Sequence, residues 1–211
     1  MRKLNVIGLH NLFLNEHGFR FNLAKMAFTK NFSEGQQVVL VDFVKYPDES
    51  YLEYRIGTRI NAVEELIQKF IPAISDHFER SITLLLKPSD ISETIPERFA
   101  VTNEEEIHQA IKKIEEFFLN YGFDWLDQMS YPEVLEDYFA RSKEQIFQSN
   151  HSVYNSFRGA VLAKLYNPED YPVLKQVYLE QIQTNTMTPF SIASFLQLLD
   201  YLEKMEINIS S

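Results

Sequence analysis

Two β-like runs, the second of them strictly alternating, joined by four turn residues, constrain this 211-residue chain more than anything else in it. Residues 36–46 read Gln-Gln-Val-Val-Leu-Val-Asp-Phe-Val-Lys-Tyr, a β-branched and aromatic stretch that fits a pleated, half-buried surface. Pro47-Asp-Glu-Ser then turns the chain into residues 51–60. There Leu52, Tyr54, Ile56, Thr58 and Ile60 share one phase, and Glu53, Arg55, Gly57 and Arg59 share the other. A joint this short forces antiparallel pairing. Upstream, Phe19, Phe21 and Leu23 alternate, Met26 and Phe28 continue an extended path, and Ser-Glu-Gly at 33–35 turns it back. The expectation is an antiparallel meander over about residues 19–60 with one solvated face. Residues 81–87 and 98–101 are further short extended candidates.

Around this sheet the apolar period changes from two to that of a helix. Leu4, Ile7, Leu12 and Leu14 predict a helix before it, closed by Gly18. Asn61 with Glu64, and Thr102 with Glu105, have the spacing of capping boxes. The first opens a helix carrying Val63, Leu66, Ile67 and Phe70, stopped near Pro72. The second opens one carrying Ile107, Ala110, Ile111, Ile114, Phe117, Phe118 and Tyr121, closed by Gly122. Ser130, Pro132 and Glu133 start another, expected through about Phe147, and helices over 152–166, 171–184 and 188–204 follow. Tyr131-Pro132 and Tyr171-Pro172 echo one another 40 residues apart, with Tyr138 and Tyr178 at the same offset. Two copies fall short of the three units a helical array needs, so these are read as ordinary proline helix starts. Strands cluster early and helices late, which is the α+β pattern. The chain is expected to be one α+β domain over 1–211, its β-rich part about 1–101 and its helical part about 102–211.

Charge and composition narrow the function classes. Net charge is −10, and it is uneven along the chain: residues 1–60 carry eight Lys/Arg against six acids, residues 61–211 twelve against twenty-four. An acidic surface repels phosphate backbones, so nucleic acid and anionic membranes are disfavoured; it suits a basic protein partner, and the alternative is charge that simply keeps the protein soluble. There is no cysteine, which removes disulfides, thiolate metal sites and cysteine nucleophiles and suits a reducing compartment. The first eleven residues interrupt any signal-peptide core with Asn5, His10 and Asn11, and no run approaches the roughly 18 apolar residues of a membrane span. A soluble cytoplasmic protein is expected.

Candidate chemistry is sparse. The five histidines, His10, His17, His77, His108 and His151, contain no pair at metal-ligand spacing, and each is read as structural or solvated. Glu104, Glu105 and Glu106 occupy the first turn of a helix, where carboxylates meet the positive end of the dipole and diverge by about 100° per residue. Glycines stand singly, with no phosphate loop, and no nucleophile elbow occurs. No cofactor and no stoichiometric metal are expected, and the reading leans away from an enzyme. Two surfaces remain as candidate binding sites. Arg20, Arg55 and Arg59 make a basic patch if their strands adjoin, unless Asp42 and Glu53 pair with them across strands. Glu133, Glu136 and Asp137 make a small acidic face on one predicted helix.

Four stretches, Phe13-Leu-Asn-Glu-His-Gly-Phe-Arg-Phe, Phe28-Thr-Lys-Asn-Phe, Val38-Val-Leu-Val-Asp-Phe and Tyr54-Arg-Ile-Gly-Thr, together resemble the bacterial domain-of-unknown-function family 4304. Glu116-Phe-Phe-Leu-Asn-Tyr-Gly-Phe-Asp-Trp-Leu is similar to a later helical segment of that family. The resemblance covers about half the chain and departs from the family at Asp42-Phe43, where Gln-Phe is the family's pair. It implies a helix, a meander and then helices, and it supplies no catalytic residue. Two functions follow from the residues: a non-enzymatic protein-binding module, of the kind an immunity protein uses to neutralise a basic toxin, and a small-molecule binder or enzyme with a pocket between sheet and helices.

Overall fold

The computed structural model describes residues 3–142, 152–184 and 188–206. The fold is α+β, with an antiparallel sheet drawn from the first half of the chain and helices after it. The residues gather into two compact units, and the division is not sequential: one holds residues 1–59 and 84–130, the other 60–83 and 131–211.

In the first unit the chain opens with α1 (Lys3–Gly8) and α2 (Asn11–Glu16), then β1 (Arg20–Asn22), β2 (Ala27–Asn31), β3 (Gly35–Lys45) and β4 (Ser50–Ile60). These four strands are neighbours in chain order, with Phe21 opposite Phe28 and Phe28 opposite Val39. The Tyr46 amide donates to the Glu49 carbonyl across the β3–β4 turn. β5 (Leu84–Leu86) and β6 (Phe99–Val101) both pair with β4, completing six strands among the described residues. Val39, Val41, Leu52, Tyr54 and Ile56 turn one face of the sheet into a core shared with α1, α2, α4 (Glu104–Phe117) and α5 (Phe123–Gln128). The expectation of a solvated second face fails in the middle of β3. Val38, Val39, Leu40 and Val41 are all buried, so both side-chain phases are covered there, as an unbroken apolar run requires.

Three local expectations need correction. The opening helix is two short ones broken at Leu9-His10. Leu4 and Leu12 are exposed, and Val6, Ile7, His10 and Leu14 are the buried set. Gly18 does end α2, with φ +86°, a left-handed conformation that costs glycine nothing. α4 is capped one residue later than the spacing suggested: Asn103 accepts from the Glu106 amide at 3.0 Å, and the Glu106 carboxylate accepts from the Thr102 amide at 2.7 Å. Gly122 does not close α4 either. The helix runs on through a π-helical turn (Phe118–Gly122) into α5, and Gly122 is needed because a Cβ would meet the Phe118 and Phe117 rings at 2.8 and 2.9 Å.

The second unit holds α3 (Asn61–Gln68), α6 (Pro132–Arg141), α7 (Ser152–Tyr166), α8 (Tyr171–Thr184) and α9 (Pro189–Lys204). The part of the α6 expectation that runs to Phe147 lies outside the described residues. α7 packs against α3, α6, α8 and α9. Phe157 and Phe195 lie edge-to-face at 5.0 Å in a core with Leu135, Phe139, Ile182 and Leu198. Thr188 caps α9 by accepting from the Ser191 amide, and Pro189 sits at the first position, where its missing N–H costs nothing. The echo between Tyr131 and Tyr171 amounts to two helix starts, at α6 and α8, in different surroundings: Tyr131 is exposed and Tyr171 is buried.

Candidate functional site

The sheet edge formed by β4 carries the most chemistry in the first unit. β5 matches Ile56 with Leu86, and β6 matches Leu52 with Phe99. Extending each register by one residue places Lys87 across from Arg55 and Arg98 across from Glu53. β5 and β6 are therefore two halves of one edge strand, interrupted opposite Tyr54 by the excursion over residues 88–97. Lys87 and Glu97 form an ion pair across the neck of that loop, and Pro88 and Ile95 are buried. Such a loop, with its ends close and its own side chains packed inside, is an Ω-type loop. A cleft of about 260 Å³ opens at the interruption, lined by Glu53, Tyr54, Arg55, Lys87, Glu97 and Arg98.

Most of the charges here are partnered. Asp42 accepts from Arg55 Nη2 at 2.8 Å and from Lys3 Nζ at 2.7 Å. Partial burial works to raise the Asp42 carboxyl, but the two cations outweigh it and hold the group below the usual carboxylate range. Lys87 likewise lowers Glu97. Arg98 lies with its guanidinium carbon 4.2 Å from the centre of the Tyr51 ring, a cation–π contact, and Tyr51 donates its hydroxyl to Glu49.

Beneath the cleft, Tyr54 reaches into the core. Its hydroxyl lies 2.7 Å from His10 Nε2, while His10 Nδ1 lies 3.0 Å from the Val6 carbonyl. A carbonyl only accepts, so Nδ1 carries the proton and Nε2 accepts from Tyr54. Burial lowers the His10 pKa to about 4, so the ring is neutral near pH 7. Burial also raises Tyr54 well above its ordinary value.

The basic patch is only partly assembled. Arg20 lies on β1, with β2 and β3 between it and β4, and its guanidinium is turned back onto the carbonyls of Asn15 and Phe19. Arg55 pairs with Asp42 across strands, the outcome foreseen as the alternative to a patch. Arg59 is close enough to Lys25 to help burial lower that lysine's pKa. The acidic face does not form as a trio. Glu133 and Asp137 are exposed, Asp137 pairing with Arg141, but Glu136 is buried and accepts from Asn167 at 3.2 Å.

The sequence reading missed the buried ion pair of the second unit. Glu64 and Arg158, 1% and 4% exposed, form a bidentate pair at 2.8 and 3.1 Å. Thr83 donates to Glu64, the Ile60 amide donates to Thr83, and Arg158 also donates to the Arg80 carbonyl. Glu64 is therefore no capping residue; Ile60 precedes the helix and Asn61 makes no cap bond. Its signal was the spacing Ile60, Val63, Glu64, Ile67, which sets a lone carboxylate on an apolar stripe. Among the described residues no three His, Asp or Glu are grouped to hold a metal ion, and no helix is long and apolar enough to cross a membrane. No protein-family model, curated protein or solved structure matches the chain.

Proposed function

We propose that this protein is a non-enzymatic binding module whose partner is a basic protein, in the manner of an immunity protein that neutralises a toxin. The observation that carries the reading is where the acid excess falls after folding. Counted along the chain, residues 1–60 are basic and the rest acidic. Counted by compact unit, the first holds sixteen acids against twelve Lys/Arg and the second fourteen against eight. Both units are thus acidic, by four and by six charges, and a partner of opposite sign is drawn to either. The kinship with family 4304 belongs to the same proposal and adds no catalytic residue to it.

The test is capture of a basic partner followed by binding kinetics at several salt concentrations. Opposite fields speed encounter, so raising salt from about 50 to 500 mM slows association by roughly tenfold or more and leaves dissociation nearly unchanged. Reversing Glu133 and Asp137 to lysine weakens capture without unfolding the protein, because both are exposed. Glu136 is left alone in this variant, since it is buried. Association indifferent to salt and to both reversals overturns the reading. A second reading, a small-molecule binder or an enzyme, is favoured by one observation, the cleft at the interrupted edge of β4.

A further inference from the structure

The charged groups around that cleft fall into two kinds. Arg55 is held by Asp42 and Lys87 is held by Glu97. Glu53 and Arg98 are different: among the described residues neither makes an ion pair or a hydrogen bond through its side chain, although the register places them across from one another. Arg98 rests on the Tyr51 ring with its N–H fork unspent. Contact with a ring face restrains a guanidinium in advance, so less rotamer freedom is left to lose when an acceptor arrives. Glu53 is an acceptor with no donor, on the same face of β4 as Tyr51 and Arg55. The cleft thus presents one unspent donor fork and one unspent acceptor, set between two closed ion pairs.

We propose that the cleft binds a small zwitterion of the amino-acid class, its carboxylate on the Arg98 fork and its ammonium on Glu53. A planar carboxylate takes two parallel N–H bonds from a guanidinium, the strongest neutral-pH geometry available to it. Net charge selects against the alternatives. A simple anion faces Glu53 and Glu97, and a simple cation faces Arg55, Lys87 and Arg98, whereas a dipolar ligand meets a complement at each end. The volume, about 260 Å³, lies below the roughly 300–1,000 Å³ of sites for drug-sized ligands and suits a molecule of a few heavy atoms. This site deepens the small-molecule reading and is independent of the basic-partner one.

Titration calorimetry of the full chain with glycine and γ-aminobutyrate, two spacings of the same charges, tests it, with acetate and methylamine as single-charge controls. At least one zwitterion binds saturably, and each control binds about tenfold more weakly or not at all. Glu53→Gln and Arg98→Ala each weaken the zwitterion by about tenfold, and Arg98→Lys, which keeps the charge but loses the fork, weakens it too. Arg98 is exposed and Glu53 only half-buried, so thermal midpoints stay put and a loss of binding is not a loss of fold. Reversal of Glu133 and Asp137 leaves zwitterion binding untouched, which separates this site from the partner surface. No saturable binding by either zwitterion up to about 10 mM, acetate binding as well as both, or indifference to Glu53→Gln and Arg98→Ala overturns the proposal.

Discussion

Each compact unit buries a polar pair joining elements far apart in the chain, and these two pairs solve the same problem in opposite ways. In the first unit His10 and Tyr54 are buried as neutral groups: burial keeps the imidazole unprotonated and the phenol protonated, and they share one hydrogen bond while the other ring nitrogen donates to the Val6 carbonyl. In the second, Glu64 and Arg158 form a fully charged pair, its cost offset by two mutual bonds and by Thr83 and the Arg80 carbonyl. The neutral pair costs little to bury but is exposed to pH. The ionic pair is expensive to desolvate and depends on having every partner in place. The second unit is therefore fragile to substitution where the first is fragile to acid.

The largest effect expected is from Arg158→Met. It leaves the Glu64 carboxylate buried without a cation, which costs about 3–5 kcal/mol and lowers the denaturant midpoint without changing its slope. Pairing it with Glu64→Leu recovers much of that loss, since an apolar pair of similar volume needs no partners. A double variant as unstable as the sum of the two singles breaks the contrast, because it means packing and not charge was lost.

Acid gives the next effect. The His10 pKa is near 4 folded and about 6.5 unfolded, so between those values the unfolded chain binds the extra proton and stability rises with pH. The contribution is whole above about pH 6.5 and is lost as pH falls towards 4, to a total of about 3 kcal/mol at 1.36 kcal/mol per unit. Urea denaturation across pH 4–7 reads it, and His10→Gln removes that part of the slope. A slope unchanged by the substitution sinks the assignment of His10 as a buried neutral group.

What the sequence let through and what it hid follows the same division. The β3–β4 hairpin was legible because its cause is local: a β-branched run in β3, alternation in β4, and a proline turn of four residues. The cap of α4 was legible to within one residue for the same reason. Glu64, Arg158 and Glu136 were misread or passed over because their partners lie 94 and 31 residues away, and a local reading assigns a charged side chain to solvent. Each carried a signal all the same. Glu136 falls between Pro132, Leu135 and Phe139 on a buried stripe, and Arg158 interrupts the run Phe157 to Ala163. A lone charge at a core position of a helix is a call for a distant partner. The cleft had no such trace, because it exists only once β5 and β6 return to the same edge of β4.

The smallest effect sharpens the comparison from its exposed side. Asp42, with Lys3 and Arg55, is also a paired carboxylate, but water reaches all three: the side chains are 26%, 44% and 28% exposed. Solvent screens such a pair and the long side chains lose entropy in forming it, so Asp42→Asn costs at most about 1 kcal/mol. The sign with pH is opposite in origin to that of His10 and alike in direction. The Asp42 pKa is depressed on folding, so its contribution is present above the unfolded carboxylate value near 3.8 and is lost only as pH falls below it. His10 weakens the first unit from about pH 6.5, and Asp42 adds to the loss only at the acid end. Salt separates the two. Half-molar sodium chloride erodes the Asp42 contribution, whose charges sit within reach of counterions, and leaves the neutral His10–Tyr54 bond as it was. Wild type and Asp42→Asn compared by thermal denaturation at low and high salt measure this. A difference between them as large as that of Arg158→Met, or one that salt does not reduce, means that Asp42 is bound as tightly as the buried pair and that burial is not what sets the two classes apart.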